Sequence, residues 1–221
     1  MMYSKLKTKL LSFSSHRNLY SSDVLLKIPR QFRRDKVIFI HVPKCAGSAF
    51  LDSYLGYQLG HVRVETYFKL DPLLFSESFV FSFVRNPIHR FISAYNYIQR
   101  TTLWSYLPEI KQKLDTYASS VDELAKTLSK ESEILSLPWF EPQHHYLTVN
   151  NIVAVNRVFK TENFAEDLEV LKTETGLNFR SESPINVSPK LVTDYKEILS
   201  SESIKNLEMV YEKDFTLFGY F

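Results

Sequence analysis

The chain of 221 residues predicts an α/β fold: a single domain with a central, mainly parallel sheet flanked by helices. Three observations carry this expectation. The runs at 37–42 and 79–84 are apolar almost without interruption, the pattern of parallel strands buried on both faces. Each run ends near a cation and passes through a short turn into helix-forming sequence. The rest keeps the alternation, with strands expected near 37–42, 61–65, 79–84 and 152–160 and helices near 48–56, 87–100, 121–129, 163–175 and 202–212. At 44% hydrophobic residues, with no low-complexity linker and no internal repeat, the chain has material for one substantial core.

The first strand, beginning Val37-Ile38-Phe39-Ile40, must end near Pro43, which has no amide to donate to a ladder. The turn Pro43-Lys44-Cys45-Ala46-Gly47-Ser48 then leads into Ala49-Phe50-Leu51. Small side chains at Ala46, Gly47, Ser48 and Ala49 let backbone N–H groups approach an anion, and a helix starting here aims its positive end at the same place. Lys44 adds a full charge. The order differs from the Walker A sequence G-x-x-x-x-G-K-[ST], because Lys44 precedes the only glycine of the turn. Without a ligand, the same sequence is simply a lysine-bearing connection.

The second strand, Phe79 to Val84, ends in Arg85-Asn86-Pro87. Asn86 is placed to cap a helix and Pro87 to occupy its first turn, while Ile88, Phe91, Ile92 and Tyr95 follow the spacing of a buried helix face. Ser93 falls off that stripe. Arg85 at the strand end and Ser93 on the helix can meet on one oxyanion, the arginine as a fork and the serine as a hydroxyl. Ligands of open α/β sheets bind beyond the carboxyl ends of the strands. Taken singly, Arg85 reads as an ion-pair partner and Ser93 as a filler. Further on, Asn163 and Glu166 are spaced as a capping box, Phe164, Leu168 and Leu171 form a core face, and Gly176 closes that helix.

Read together, His41-Val42-Pro43-Lys44-Cys45-Ala46-Gly47-Ser48 and Phe81-Ser82-Phe83-Val84-Arg85-Asn86-Pro87-Ile88-His89-Arg90-Phe91-Ile92-Ser93-Ala94-Tyr95 resemble the cofactor-binding pair of sulfotransferases that use 3′-phosphoadenosine 5′-phosphosulfate (PAPS). The carbohydrate group, of heparan and chondroitin type, is nearest. In that family the H-x-P-K-x-[AG]-G-[ST] loop grips the 5′-phosphosulfate, and F-x-F-V-R-[ND]-P-x-x-R-x-x-S-x-Y supplies the 3′-phosphate site. Softer similarity continues through Trp139-Phe140-Glu141-Pro142-Gln143, with one residue more than the family's W-x-P-Q spacing, then Phe159 to Leu168, Asn186-Val187-Ser188-Pro189-Lys190, and Tyr211 to Tyr220.

The resemblance implies a P-loop-like PAPS-binding fold over residues 37–221, after a basic extension at 1–36. It implies in-line transfer of a sulfuryl group from PAPS to a hydroxyl, with 3′-phosphoadenosine 5′-phosphate (PAP) as the product. The acceptor is expected to be a glycan, with tyrosine, lipid and small-molecule hydroxyls as other classes. Lys44, Cys45, Ala46, Gly47, Ser48 and Ala49 are the expected 5′ grip, Arg85 and Ser93 the 3′-phosphate contacts, and Lys190 an added phosphate contact. Lys44 also stabilises charge on the transferring group. His41 is the expected base, since a neutral imidazole suits proton abstraction near neutral pH; Glu65, Glu141, His144 and His145 are reserves. No metal is required, and His144-His145 lacks further ligands at metal spacing. The competing readings are a nucleotide-dependent phosphotransferase and a catalytically idle PAP-binding protein.

Charge is distributed unevenly. Residues 1–36 carry nine Lys or Arg against two Asp, and the rest hold 18 basic against 23 acidic residues. That arm is expected either to be solvated or to touch an anionic surface such as a membrane. No nucleic-acid motif appears. The first twenty residues lack the apolar run of a signal peptide, and no segment has the roughly 18 apolar residues of a spanning helix. Cys45 is the only cysteine and makes no intramolecular disulfide, which fits a reducing compartment. These features predict a cytoplasmic protein, of bacterial or truncated form compared with the Golgi-anchored animal members. Oligomeric state is not legible.

Overall fold

The computed structural model describes residues 27–100, 112, 114–115, 119–178 and 194–221. Its centre is a three-stranded parallel sheet in the order β1 (Val37–Ile40), β2 (Phe79–Val84), β5 (Arg157–Lys160). Val37 pairs with Phe79 and Ile40 with Ser82, while Phe81 pairs with Arg157 and Val84 with Lys160. Because all three strands run the same way, the residues after Ile40, Val84 and Lys160 emerge at one edge. The expected α/β fold is what forms.

Chain order explains the layers. Helix α1 (Arg30–Asp35) seats the fully buried Phe32 in the sheet core before β1 begins. After β1 come α2 (Gly47–Tyr54), α3 (Val64–Leu70) and α4 (Pro72–Glu77), which return the chain to β2. Helix α5 (Pro87–Ile98) follows β2, and α6 (Val121–Thr127) continues into a tighter turn at Leu128–Lys130, near the expected end at 129. Then come α7 (Ser132–Leu135), α8 (His144–Leu147), the hairpin β3 (Thr148–Val149) and β4 (Ile152–Val153), and β5. The chain ends with α9 (Phe164–Thr175), α10 (Ser201–Val210) and α11 (Glu212–Phe218).

Four expectations need correction. No strand forms at 61–65; Val64, Tyr67 and Phe68 are the buried residues, and their spacing belongs to helix α3. The strand expected at 152–160 divides in two. Asn150 and Asn151 both adopt left-handed backbone (φ 52° and 62°), a two-residue hairpin turn that pairs Val149 with Ile152. Asn156 then opens β5: its Oδ1 accepts from Val80 N at 2.8 Å and its own N donates to Val80 O at 2.6 Å. Asn163 makes no side-chain cap; Thr161–Asn163 is a 3₁₀ turn leading into α9, which Gly176 closes at φ 69°. The helix expected at 202–212 breaks at Tyr211 into α10 and α11, which lets residues 211 and 214 both reach the segment 139–144 described below.

Among the described residues two apolar cores result. The first wraps the sheet with a cluster of rings, including Phe39, Phe50, Phe81, Phe83 and Phe159. The second lies beneath α5, where Ile88, Phe91 and Ile98 meet Leu124, Leu207 and Phe215. Helix α5 therefore links the sheet to the helical layer, and its first turn stands at the sheet's functional edge. Among the described residues no helix is long and apolar enough to cross a membrane.

Candidate active site

β1 stops at Ile40, whose carbonyl accepts from the buried Ser82 hydroxyl at 2.7 Å. The following turn is backbone-strained. Lys44 (φ 66°) and Ala46 (φ 57°) are both left-handed, a conformation that L residues with a Cβ adopt at a cost. Ala46 is the N-cap of α2, and no side chain among the described residues caps that helix; its first turn holds no acidic residue. Its positive end is thus left for an outside anion.

Gly47 is fixed by a different constraint. A Cβ there would lie 2.1 Å from His41 Cδ2 and 2.6 Å from His41 Nε2, so the imidazole packs directly on the glycine. His41 is 6% exposed. Its Nδ1 lies 3.1 Å from the Leu59 carbonyl. A carbonyl only accepts, so Nδ1 carries the hydrogen and the lone pair sits on Nε2. His61 does the same to His41: its Nδ1 donates to the His41 carbonyl at 3.2 Å, and the two rings are 4.2 Å apart. Burial, reinforced by the neighbouring His61, lowers the His41 pKa to about 3. Partial desolvation of its ring also lowers that of His61, although the residue lies at the surface, with the Lys44 charge adding to it. Both imidazoles are neutral at physiological pH.

Lys44 is half-buried and its pKa is lowered, first by burial and then by the charge of Arg85. The Arg85 charge therefore reaches Lys44 at the sheet edge. Neither forms an ion pair with a described carboxylate; the Lys44 ammonium instead lies 4.2 Å from the Tyr97 ring centre. Cys45 is buried, and burial pushes its thiol up to about 12, which makes it an anchor and not a nucleophile. Ser48 is exposed, Ala49 half-buried, and the Ser48 carbonyl accepts from Gln58 Nε2 at 3.0 Å.

The second turn is built the opposite way, with every amide occupied. Arg85 N donates to Gln143 Oε1 at 2.9 Å and Asn86 N to Glu162 Oε1 at 2.7 Å. Asn86 Oδ1 takes the Ile88 and His89 amides, as its capping position predicts, and Pro87 has none to give. What remains for a ligand is side chain: Arg85 and, two turns along, the half-buried Ser93. Arg85 and Ser93 do not bond to each other.

Residues 139–144 join the two turns. Gln143, fully buried, accepts from Cys45 Sγ at 3.1 Å and donates through Nε2 to the Arg85 carbonyl at 2.9 Å. The segment is held from below. Arg90, also fully buried, donates to the Trp139 carbonyl at 3.0 Å and the Glu141 carbonyl at 2.6 Å, while Tyr211 Oη donates to the Phe140 carbonyl at 2.7 Å. The buried Asp214 carboxylate accepts from the Gln143 and His144 amides at 2.7 and 2.9 Å, and from His144 Nδ1 at 2.7 Å.

The reserve bases have other partners. His144 is committed to Asp214; Glu141 accepts from His145 Nδ1 at 3.0 Å and pairs with Arg63; Glu65 pairs with Lys69 at 2.7 Å. Lys190 and its loop lie outside the described residues, as does most of 101–119. His61 escapes sequence reading, hidden in the misassigned strand, while Glu162 and Asp214 stand inside segments quoted for their similarity without a role assigned to them. Arg90 and Gln143 stand inside the quoted motifs, but their work as braces is tertiary.

A parallel sheet with two cation-bearing turns at its carboxyl edge and a helix start without a described side-chain cap is an arrangement suited to binding an anion. The family model described as the sulfotransferase family matches residues 30–221, and the chain belongs to that family. Neither a curated protein nor a solved structure matches it.

Proposed function

We propose that this chain is an O-sulfotransferase that takes the sulfuryl group from PAPS and places it on a hydroxyl of a carbohydrate acceptor. The observation that carries the reading is the pair Lys44 and Arg85: two cations in the turns that follow adjacent parallel strands, neither in an ion pair with a described carboxylate. A ligand with anionic groups at both ends fits that pair. The uncapped start of α2 with Lys44 takes the 5′ end, and Arg85 with Ser93 takes the 3′-phosphate.

PAPS, when bound, supplies an activated sulfuryl group. Lys44 stabilises negative charge on the transferring group and on the departing phosphate oxygen, and the Ser48 hydroxyl donates to the same oxygens. His41 Nε2, the free lone pair, accepts the acceptor's proton as the acceptor oxygen bonds to sulfur and the sulfur–phosphate oxygen bond breaks. Burial alone makes His41 a weak base. A bound anion beside the ring raises its proton affinity toward the working range.

Thermal shift with PAP, PAPS, GTP and magnesium–ATP tests the donor. PAP and PAPS are expected to stabilise the protein most, and a preference for magnesium–ATP overturns the reading in favour of a phosphotransferase. Transfer of radiolabelled sulfate from PAPS to a glycan panel tests the reaction. His41→Ala is expected to keep PAP binding and lose turnover; near-normal turnover in that variant removes His41 as the base, and no transfer by the unaltered chain leaves a PAP-binding protein.

A further inference from the structure

Among the described residues, Gln143 is the one side chain whose hydrogen bonds reach both halves of the proposed donor site. Its Oε1 receives the Cys45 thiol from the first turn and the Arg85 amide from the second, and its Nε2 reaches the Arg85 carbonyl. It is fully buried, so these partners have no water to replace it. Its own backbone is fixed by Asp214, and the preceding residues by Arg90 and Tyr211.

We propose that Gln143 is a positioning residue that sets the spacing between the Lys44 turn and Arg85, so that one ligand with anionic groups at two separated ends engages both turns at once. The inference rests on the donor reading above. It follows from the wiring. A rigid ligand gains from its second anionic group only if the second cation is already at the right distance; a loose pair spends that gain on alignment. The amide is suited to the task because it accepts and donates at once, in a geometry that bridges a thiol, an N–H and a carbonyl. Ligands that use one turn alone do not depend on that spacing.

The test compares PAP with adenosine 5′-phosphate, which lacks the 3′-phosphate, by calorimetry on the full chain. In the unaltered protein the 3′-phosphate is expected to raise affinity at least ~30-fold, the scale of a charge-assisted pair. In Gln143→Leu that gain is expected to shrink ~10-fold or more, while adenosine 5′-phosphate binding changes less than about threefold. Equal losses for both ligands, or an unchanged gain, overturn the proposal, since a residue that only stabilises the fold does not select between them.

Gln143→Glu covers the case in which the leucine variant fails to fold. A protonated carboxylic acid reproduces the amide's donor toward the Arg85 carbonyl, and a carboxylate does not. The 3′-phosphate gain of this variant, relative to unaltered protein at the same pH, is expected to recover as pH falls from 8 to 5.5; a flat ratio counts against the clamp. A third readout is independent of the donor. Cys45 is the only thiol, and its alkylation by iodoacetamide is expected to accelerate ~10-fold or more in the Gln143 variants, beyond that in Leu207→Ala, a cavity variant of the other core. If the unaltered chain does not prefer PAP, the donor reading fails while the thiol rates still judge the clamp: no excess over Leu207→Ala overturns it.

Discussion

The two strand-to-helix turns look alike in sequence and are opposite in construction. After β1, two left-handed non-glycine residues bring the chain to a helix that no described side chain caps. After β2, Gln143, Glu162 and Asn86 occupy the amides of Arg85, Asn86, Ile88 and His89. The first turn therefore offers backbone dipole and a lysine; the second offers side chains on a rigid mount. Strain at the first is compatible with its role, because a bound anion repays what the free chain lacks. Such a division suits a donor whose 5′ end changes charge during reaction and whose 3′-phosphate does not.

The largest effect is expected from Lys44. Removing its charge with Lys44→Met is expected to lower kcat by ~10²–10³, the range seen when one preorganised charge-stabilising donor is lost. PAP affinity should fall far less, because the helix start and Arg85 remain. Steady-state kinetics together with PAP titration separates the two. A loss confined to affinity would make the first turn a mere anchor and erase the distinction between the turns.

Gly47→Ala comes next. Its Cβ cannot coexist with the His41 ring at 2.1 Å, so the imidazole must rotate away, and turnover is expected to fall ~10-fold or more. The decisive measurement is a double-mutant cycle with His41→Ala. If the glycine acts through the imidazole, the second substitution adds little to the first. Full additivity would mean that Gly47 serves the backbone of the turn and not the ring.

At the second turn Arg85→Ala is expected to weaken PAP by ~10–100-fold while adenosine 5′-phosphate changes little, the value of a charge-assisted fork onto a phosphate. Calorimetry measures both. Equal weakening of the two ligands would move Arg85 to the 5′ end and collapse the proposed division.

How much of this was legible follows the same contrast. Both strands, both helix starts, the Asn86 cap and the fold class follow from local pattern, since apolar runs, Pro87 and Asn86 act within a few residues of themselves. The strand placed at 61–65 failed because a short apolar segment with Val64, Tyr67 and Phe68 satisfies a helical period that a strand reading ignores. His61 was lost with it. The Gln143 bridge and its Asp214 support join residues about 60 to 100 positions apart, where no sequence spacing carries information. The hairpin at Asn150-Asn151 is local by contrast, since asparagine is among the residues that most readily take left-handed backbone in a two-residue turn.

The buried His41 imidazole gives the first turn a pH signature. His41 binds its proton at pH about 3 in the fold and near 6.5 when unfolded, so between those values the unfolded chain holds more protons and stability falls as pH drops. The slope reaches about 1.4 kcal/mol per pH unit for that one group below its unfolded pKa. His61 and His89 are shifted in the same direction and add to it. Denaturant titrations between pH 7 and 5 are expected to show declining stability, with a shallower decline in His41→Gln. An unchanged slope would mean that the ring is not held neutral by the fold.

The smallest effect belongs to the cap of the second turn. Asn86 Oδ1 satisfies the Ile88 and His89 amides at 3.0 and 3.2 Å, and its loss leaves two donors at the start of α5 to water. Asn86→Ala is expected to cost about 1 kcal/mol of stability, read as roughly 2–4 °C in Tm for a chain of this size. Arg85 itself is still held by Gln143 and Asn86 N by Glu162, so PAP affinity should change by less than about threefold. A larger loss of PAP binding would mean that the freed amides had been masking a backbone anion site like the one at Gly47, and that the two turns differ by a single side chain and not by design of the whole segment.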